Sequence, residues 1–286
     1  MKMICNKQCI IGEGPIWNEK ENLLYYTNGF GNEICMLDIN TGELKVRPVD
    51  EGVAAMAFDV ENRLIVSRKD GVFILNEDGS TEALYDTVAF PIIYGNDMKV
   101  GPDGRIYVGT LSGKKAGISD QFDGKLYSID AAGKVRILLE GMIIPNGLDW
   151  SMDEKKFYHT DNATGMIREY WFDKEKGDII FSGREVKVHG VDGFTINKND
   201  HIFAACWGHG HIAVVNTENM EIVDYIKVPT KAPASCCFAG ENMNQLAVVT
   251  ASHEIDIKND LYAGCTFVKK MDVAGRKPYL FGAIGV

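Results

Sequence analysis

With 286 residues, 45% apolar and 24% charged, the chain can bury one large core or two smaller ones, and its composition is that of a water-soluble globular protein. Its net charge of −10, with no stripe of lysine and arginine, speaks against nucleic acid and anionic membrane as partners. Its apolar runs are too short to cross a bilayer.

The first residues, "MKMICNKQCIIGEG", carry one lysine and then the polar break Asn6-Lys7-Gln8, which leaves no continuous apolar segment for a secretory signal. The stretch reads as structural. Seven cysteines, an odd number, are scattered through a chain too long to need disulfide staples, so a reduced, cytoplasmic compartment is expected. Cys236-Cys237 has no second close pair and reads as two small buried hydrophobes on a strand, a redox or metal-binding pair being the alternative.

From Glu13 onward the chain repeats a rhythm. A small or polar opening is followed by a short partly apolar run, a turn, a β-rich run and a second hairpin. The openings are "EGPIWN" at Glu13, "AAMAFD" at Ala54, "NDMKVG" at Asn96, "NGLDWS" at Asn146, "DGFTIN" at Asp192 and "SCCFAG" at Ser235, spaced 41, 42, 50, 46 and 43 residues apart. That period belongs to a four-stranded blade repeat.

Second strands follow as "LLYYTN", "RLIVSR", "RIYVGT", "KFYHTD", "HIFAAC" and "QLAVVT", rich in β-branched and aromatic residues. Third strands follow as "EICMLDI", "GVFILN", "GKLYSID", "MIREYWF", "HIAVVN" and "GCTFVKK". No helical periodicity of useful length occurs. The expectation is an all-β chain: a single six-bladed β-propeller over residues 1–286, four antiparallel strands per blade. Residues 2 to 10 are expected to pair with the last blade and cover its open edge.

In such a blade the innermost strand lines a central channel, so Glu13, Asn96, Asn146 and Asp192 should meet at its mouth. The Asn96-Asp97 dipeptide, followed so soon by the turn Pro102-Asp103-Gly104, then need not be a turn itself. The alternative is that these residues only cap loop ends through their own backbone. Two carboxylates and two amide carbonyls brought together repel one another unless a cation lies between them. All-oxygen ligation favours Ca²⁺, Mg²⁺ or Mn²⁺, although Zn²⁺ also accepts carboxylates, and one divalent metal ion is therefore the expected cofactor.

The connections between second and third strands return to the face of the openings. They include the long loops Ser112 to Asp123 and Ser252 to Tyr262, natural lids or interaction surfaces, and Trp207 to His211. Trp207, Phe122 and Tyr94 offer apolar walls. His209 and His211 of "GHGH" are an H-x-H pair that could bind metal or simply lie on a loop. Neither G-x-S-x-G nor H-E-x-x-H occurs.

The segments "GEGPIW", "NDMKVGPDGRIYVGT", "NGLDWSMDEKKFYHTD", "DGFTINKNDHIFAAC" and "SCCF" resemble the regucalcin, gluconolactonase and luciferin-regenerating enzyme family, in order over nearly the whole chain. The resemblance implies a six-bladed propeller with one divalent metal, lactone hydrolysis being the commonest activity. By motif, Glu13, Asn146 and Asp192 match the family's metal ligands, and Asp192 matches its proposed general base. Asn96 matches the asparagine beside the metal that contacts substrate or water, and Asp120 matches a second acidic position.

Where sugar-lactone hydrolases of the family commonly carry arginine, two residues before that asparagine, this chain has Tyr94. An aromatic face with one hydroxyl replaces a guanidinium fork, so a less polar substrate than a sugar lactone is expected, with Trp207 and His209 beside it. The expected activity is metal-dependent opening of a cyclic ester, with a small-molecule substrate as the partner. Alternatives are phosphotriester hydrolysis at the same site and a non-catalytic, metal- or protein-binding propeller.

Overall fold

The computed structural model describes residues 1–283, and six four-stranded antiparallel sheets account for nearly all of its regular structure. Blade one is formed by Gly12–Asn18, Leu23–Asn28, Glu33–Leu37 and Leu44–Pro48, from the axis outward. The inner strands of blades two to six are Val53–Phe58, Gly95–Val100, Pro145–Trp150, Val191–Ile196 and Pro233–Ala239. Each begins at or within two residues of an opening predicted from the repeat. The one α-helix among the described residues is the single turn Gly113–Ala116. Among the described residues no helix is long and apolar enough to cross a membrane.

The second strands lie in the middle of each sheet, packed on both faces. That is why they read as unbroken apolar runs: Leu64–Arg68 and Ile106–Thr110 are buried almost throughout. The outer strands are largely exposed, as in Glu221–Lys227, where only Ile222 and Ile226 are half-buried. Apolar side chains fill the spaces between neighbouring blades. Tyr107, Trp150 and Phe172 pack edge to face between blades three and four, with Phe157 tilted against the first two and the Tyr107 and Trp150 ring centroids 4.9 Å apart.

The ring closes by mixing chain ends. Lys2–Cys5 is the outer strand of blade six, pairing antiparallel with Thr266–Lys270 through Lys2↔Val268 and Met3↔Phe267. The expected N-terminal closure is thus observed, and it covers an edge that would otherwise recruit another chain. Deleting residues 1–5 is expected to cost on the order of 2–4 kcal/mol, from a few lost ladder hydrogen bonds and the bared Cys265–Phe267 packing. A denaturant titration with a concentration-dependent aggregation assay would check this.

The chain's other end closes the channel. Residues 274–283 cross the face opposite the openings. Lys198 N donates to Ala274 O (2.8 Å), Phe281 N to Phe58 O (2.9 Å) and Gly282 N to Gly104 O (3.0 Å), tying the strap to blades five, two and three. Arg276 Nη1 donates to Trp150 O of blade four (3.2 Å).

Candidate active site

All six inner strands start with an irregularity at the same level. In blade three, Gly95 pairs with Thr110 and Met98 with Val108, so Asn96 and Asp97 together face the single residue Gly109. Equivalent shifts occur at Glu13/Ile16, Val53/Ala55, Asn146/Leu148, Val191/Phe194 and Pro233/Ser235. A bulge adds one residue, breaks the alternation and re-aims side chains. Asn96-Asp97 is therefore a bulge at the mouth of the channel, and two consecutive residues of blade three reach it.

Each candidate ligand in blades one, four and five is followed by glycine, and the next blade shows why. A Cβ on Gly147 would lie 2.2 Å from Phe194 Cδ1 and 2.7 Å from Asp192 O. A Cβ on Gly193 would lie 2.1 Å from Ser235 Oγ. Without side chains there, the bulged ends of adjacent blades press together and draw Asn146 and Asp192 into contact. Asn146 Nδ2 donates to Asp192 Oδ1, and both residues are buried.

Asn96 Nδ2 donates to Pro145 O (2.9 Å), which ties blade three to blade four beside this pair. Glu13 feels the charges gathered there. Its carboxyl is pushed well above the ordinary range by burial, then by the charges of Asp192 and Asp97. Burial and the Asp97 charge push Asp192 up in the same way.

Asp97 was missed by sequence reasoning, which used only its neighbour Asn96. Its carboxyl is raised by burial and by Asp149, although Lys99 and the Met98 backbone pull the other way. The signal was available in the unexplained Asn-Asp dipeptide, but a strict two-residue alternation would have sent Asp97 away from the axis. The bulge overrides it.

Below the mouth, the channel narrows to a cavity of about 70 Å³ bounded by Lys99, Asp149, Cys236, Cys237 and the strap residues Arg276 and Tyr279. Burial alone would raise Asp149, but Lys99 and Arg276 outweigh it and hold the carboxyl below its usual value. Lys99 Nζ lies 3.0 Å from Asp149 Oδ2 and donates to Phe194 O at 2.7 Å, while Arg276 Nη2 grips Asp149 Oδ1. Asp149→Ala should cost about 3 kcal/mol, because two cations then lose their shared anion in a confined space. Chemical denaturation at two salt concentrations measures it, with little screening expected.

Cys236 and Cys237 stand on the inner strand of blade six, buried as expected, and burial raises both thiols, Cys237 to about 12. All seven cysteines are buried and free.

The remaining expected residues are placed less tightly. Tyr94 sits half-buried immediately before the Gly95–Val100 strand, with a left-handed backbone at φ 55°. His209 packs on Gly190, whose own Cβ would meet the imidazole Cδ2 at 2.6 Å, so it stands beside the Val191-Asp192 opening. Trp207 N donates to Gly190 O (2.7 Å) on the same loop. His211 Nδ1 is hydrogen-bonded to His209 O (3.1 Å), and the two rings are 6.0 Å apart.

Asp120 is exposed in the loop after the Gly113–Ala116 turn, and no contact joins it to the mouth. Among the described residues, no three His, Cys, Asp or Glu side chains stand close enough to hold an ion by themselves. The candidate set relies on the Asn146 amide beside the two carboxylates.

Residues 11–252 match the family model described as the SMP-30/Gluconolactonase/LRE-like region. A Bacillus subtilis (strain 168) protein provisionally named sugar lactone lactonase YvrE is 26% identical over 288 residues, covering 96% of each chain. Regucalcin of Gallus gallus is 27% identical over 299 residues, covering 95% of this chain and 94% of its own. The crystal structure of a calcium-binding protein, regucalcin, from Agrobacterium tumefaciens superposes with a TM-score of 0.87 at 22% identity, over 98% of this chain and 96% of that one, a likeness of fold.

Proposed function

Because this chain belongs to the SMP-30/gluconolactonase/LRE-like family, we propose that it hydrolyses a lactone, using a divalent cation held by Glu13, Asn146 and Asp192. The observation that carries the proposal is the buried contact of Asn146 with Asp192 at the channel mouth, where burial raises the Glu13 and Asp192 carboxyls and the Asp97 charge adds to both. Such a group of oxygens, with the Asn146 amide rotated to present its carbonyl, fits a hard cation. The description of the Agrobacterium relative as calcium-binding supports the same choice.

When bound, the ion would polarise the ester carbonyl and acidify water, from a pKa of about 15.7 toward roughly 7 to 9. Asp192 takes a proton from the attacking water and returns it to the ring oxygen as the acyl C–O bond breaks, giving a hydroxy acid. Before a cation binds, Asn146 holds the Asp192 carboxylate by its amide. Asn96, anchored on Pro145 O, presents its own oxygen toward a bound substrate. No serine or cysteine nucleophile is required.

A panel of lactones, assayed with and without a chelator, tests the proposal. Turnover lost on chelation and restored by Ca²⁺, Mn²⁺ or Zn²⁺ supports it, whereas undiminished turnover in chelator refutes it. Phosphotriesters belong in the same panel, and a preference for them over every lactone would replace the substrate class while keeping the site.

A further inference from the structure

A second cavity opens on the mouth-bearing face, between blades two and three. It encloses about 300 Å³, enough for a small ligand group, and its walls include Phe90, Ile93, Tyr94, Leu111, Ile118 and Ile137. Apart from the hydroxyls of Tyr94 and Tyr127, the polar side chains in those walls are engaged with protein partners. Thr110 Oγ1 accepts from Lys125 N (3.1 Å), Lys125 Nζ pairs with Glu140 Oε1 (3.0 Å) and Asp123 Oδ1 accepts from Gly113 N (2.7 Å). A hydrophilic occupant would find few free hydrogen bonds there, whereas an apolar one needs none.

The cavity adjoins the candidate active site along the chain, through three consecutive residues. Tyr94 forms its inner wall, Gly95 begins the inner strand opposite Thr110, and Asn96 stands at the mouth. Tyr94 to Asn96 spans at most about 7.6 Å between Cα atoms. Tyr94 is the one aromatic residue held with positive φ among the described residues, pinned by its N donating to Lys69 O (2.8 Å) and its O accepting from Leu111 N (2.9 Å). A bulky side chain kept in that costly backbone state by two hydrogen bonds is a positioned wall. Phe90, Ile93, Ile118 and Ile137 are each between 44% and 53% exposed, large apolar groups that the fold leaves uncovered.

We infer that this cavity is the subsite for an apolar substituent on the substrate, and that the substrate is a lactone whose ring carries an alkyl chain. The inference rests on the lactonase reading: the ring lies at Asn96, Asn146 and Asp192, and the chain runs outward past Tyr94 between blades two and three. Buried methylenes stabilise bound ligand and transition state alike, so kcat/KM should rise about three- to fourfold per added methylene until the cavity is full.

The test measures kcat/KM on γ-lactones from methyl- to octyl-substituted, for the wild-type protein, Ile118→Asp and Ile137→Asp. The rise with chain length is expected in the wild type and should flatten in both variants. Ile118 lies on an exposed loop, so its substitution decides the matter even if Ile137→Asp does not fold. Calorimetric titration of the chelated wild-type protein with the same lactones supplies a readout without turnover, in which Kd should tighten stepwise with chain length. Flat kcat/KM and flat Kd, or a slope unchanged in the variants, overturn the subsite. Tightening Kd with no turnover of any lactone keeps the subsite and refutes the lactonase reading instead.

Discussion

Asp192→Asn is expected to lower kcat for lactone opening by about 10²–10⁴-fold, the usual contribution of a positioned general base. The variant keeps the size of the side chain and an oxygen facing Asn146, so the glycine-spaced packing around Gly193 should survive. What is lost is the group that takes the proton from water, together with one charge of the cation site, so kcat is compared at saturating metal. The kcat effect should exceed any change in KM, since substrate contacts through Asn96 and the Tyr94 wall are untouched. Activity within threefold of wild type would remove Asp192 from its proposed role. Glu13→Gln, which weakens the cation site without removing the base, should instead be partly rescued by excess metal.

The second large effect is on stability and runs through the same carboxyls. In the cation-free protein, Glu13, Asp97 and Asp192 are all pushed above their ordinary values, with burial the first cause in each. Between the unfolded value of about 4 and the raised folded values, the folded state holds more protons than the unfolded chain. Stability of the cation-free protein should therefore be greater at about pH 5 than at about pH 7, falling through that window as the carboxyls ionise against one another.

A divalent cation reverses the trend, because it binds the ionised groups. At about 100 times its Kd it should add about 2.7 kcal/mol at neutral pH and much less in acid. Thermal melts at the two pH values, with chelator and with Ca²⁺, measure both signs. Asp97→Asn removes one of three mutually repelling charges and should raise the neutral-pH melting temperature of the chelated protein. Melts insensitive to cation at neutral pH would show that the carboxyls hold no ion.

What could be read from the amino-acid order follows from which strands are packed on both faces. The second strands, such as Ile106–Thr110, announce themselves because nearly every side chain is buried, and the repeat of their turns gives the blade count. The outer strands show only partial alternation and carry little signal: Asp178–Lys187 mixes Ile180 and Phe181, both exposed, with charged neighbours.

The candidate site was legible as a recurring Glu-Gly, Asn-Gly and Asp-Gly at the blade openings. Asp97 was not, since its direction depends on a bulge that alternation rules do not anticipate. The anchoring of Asp149 by Lys99 and Arg276 was equally hidden. Those residues are 50 and 127 positions from it, and only the strap crossing beneath the disc brings the last one near.

That strap crosses the far face of the disc and floors the channel with Arg276 and Tyr279. Traffic to Asp192 is therefore expected from the mouth, where entry and exit compete for one passage.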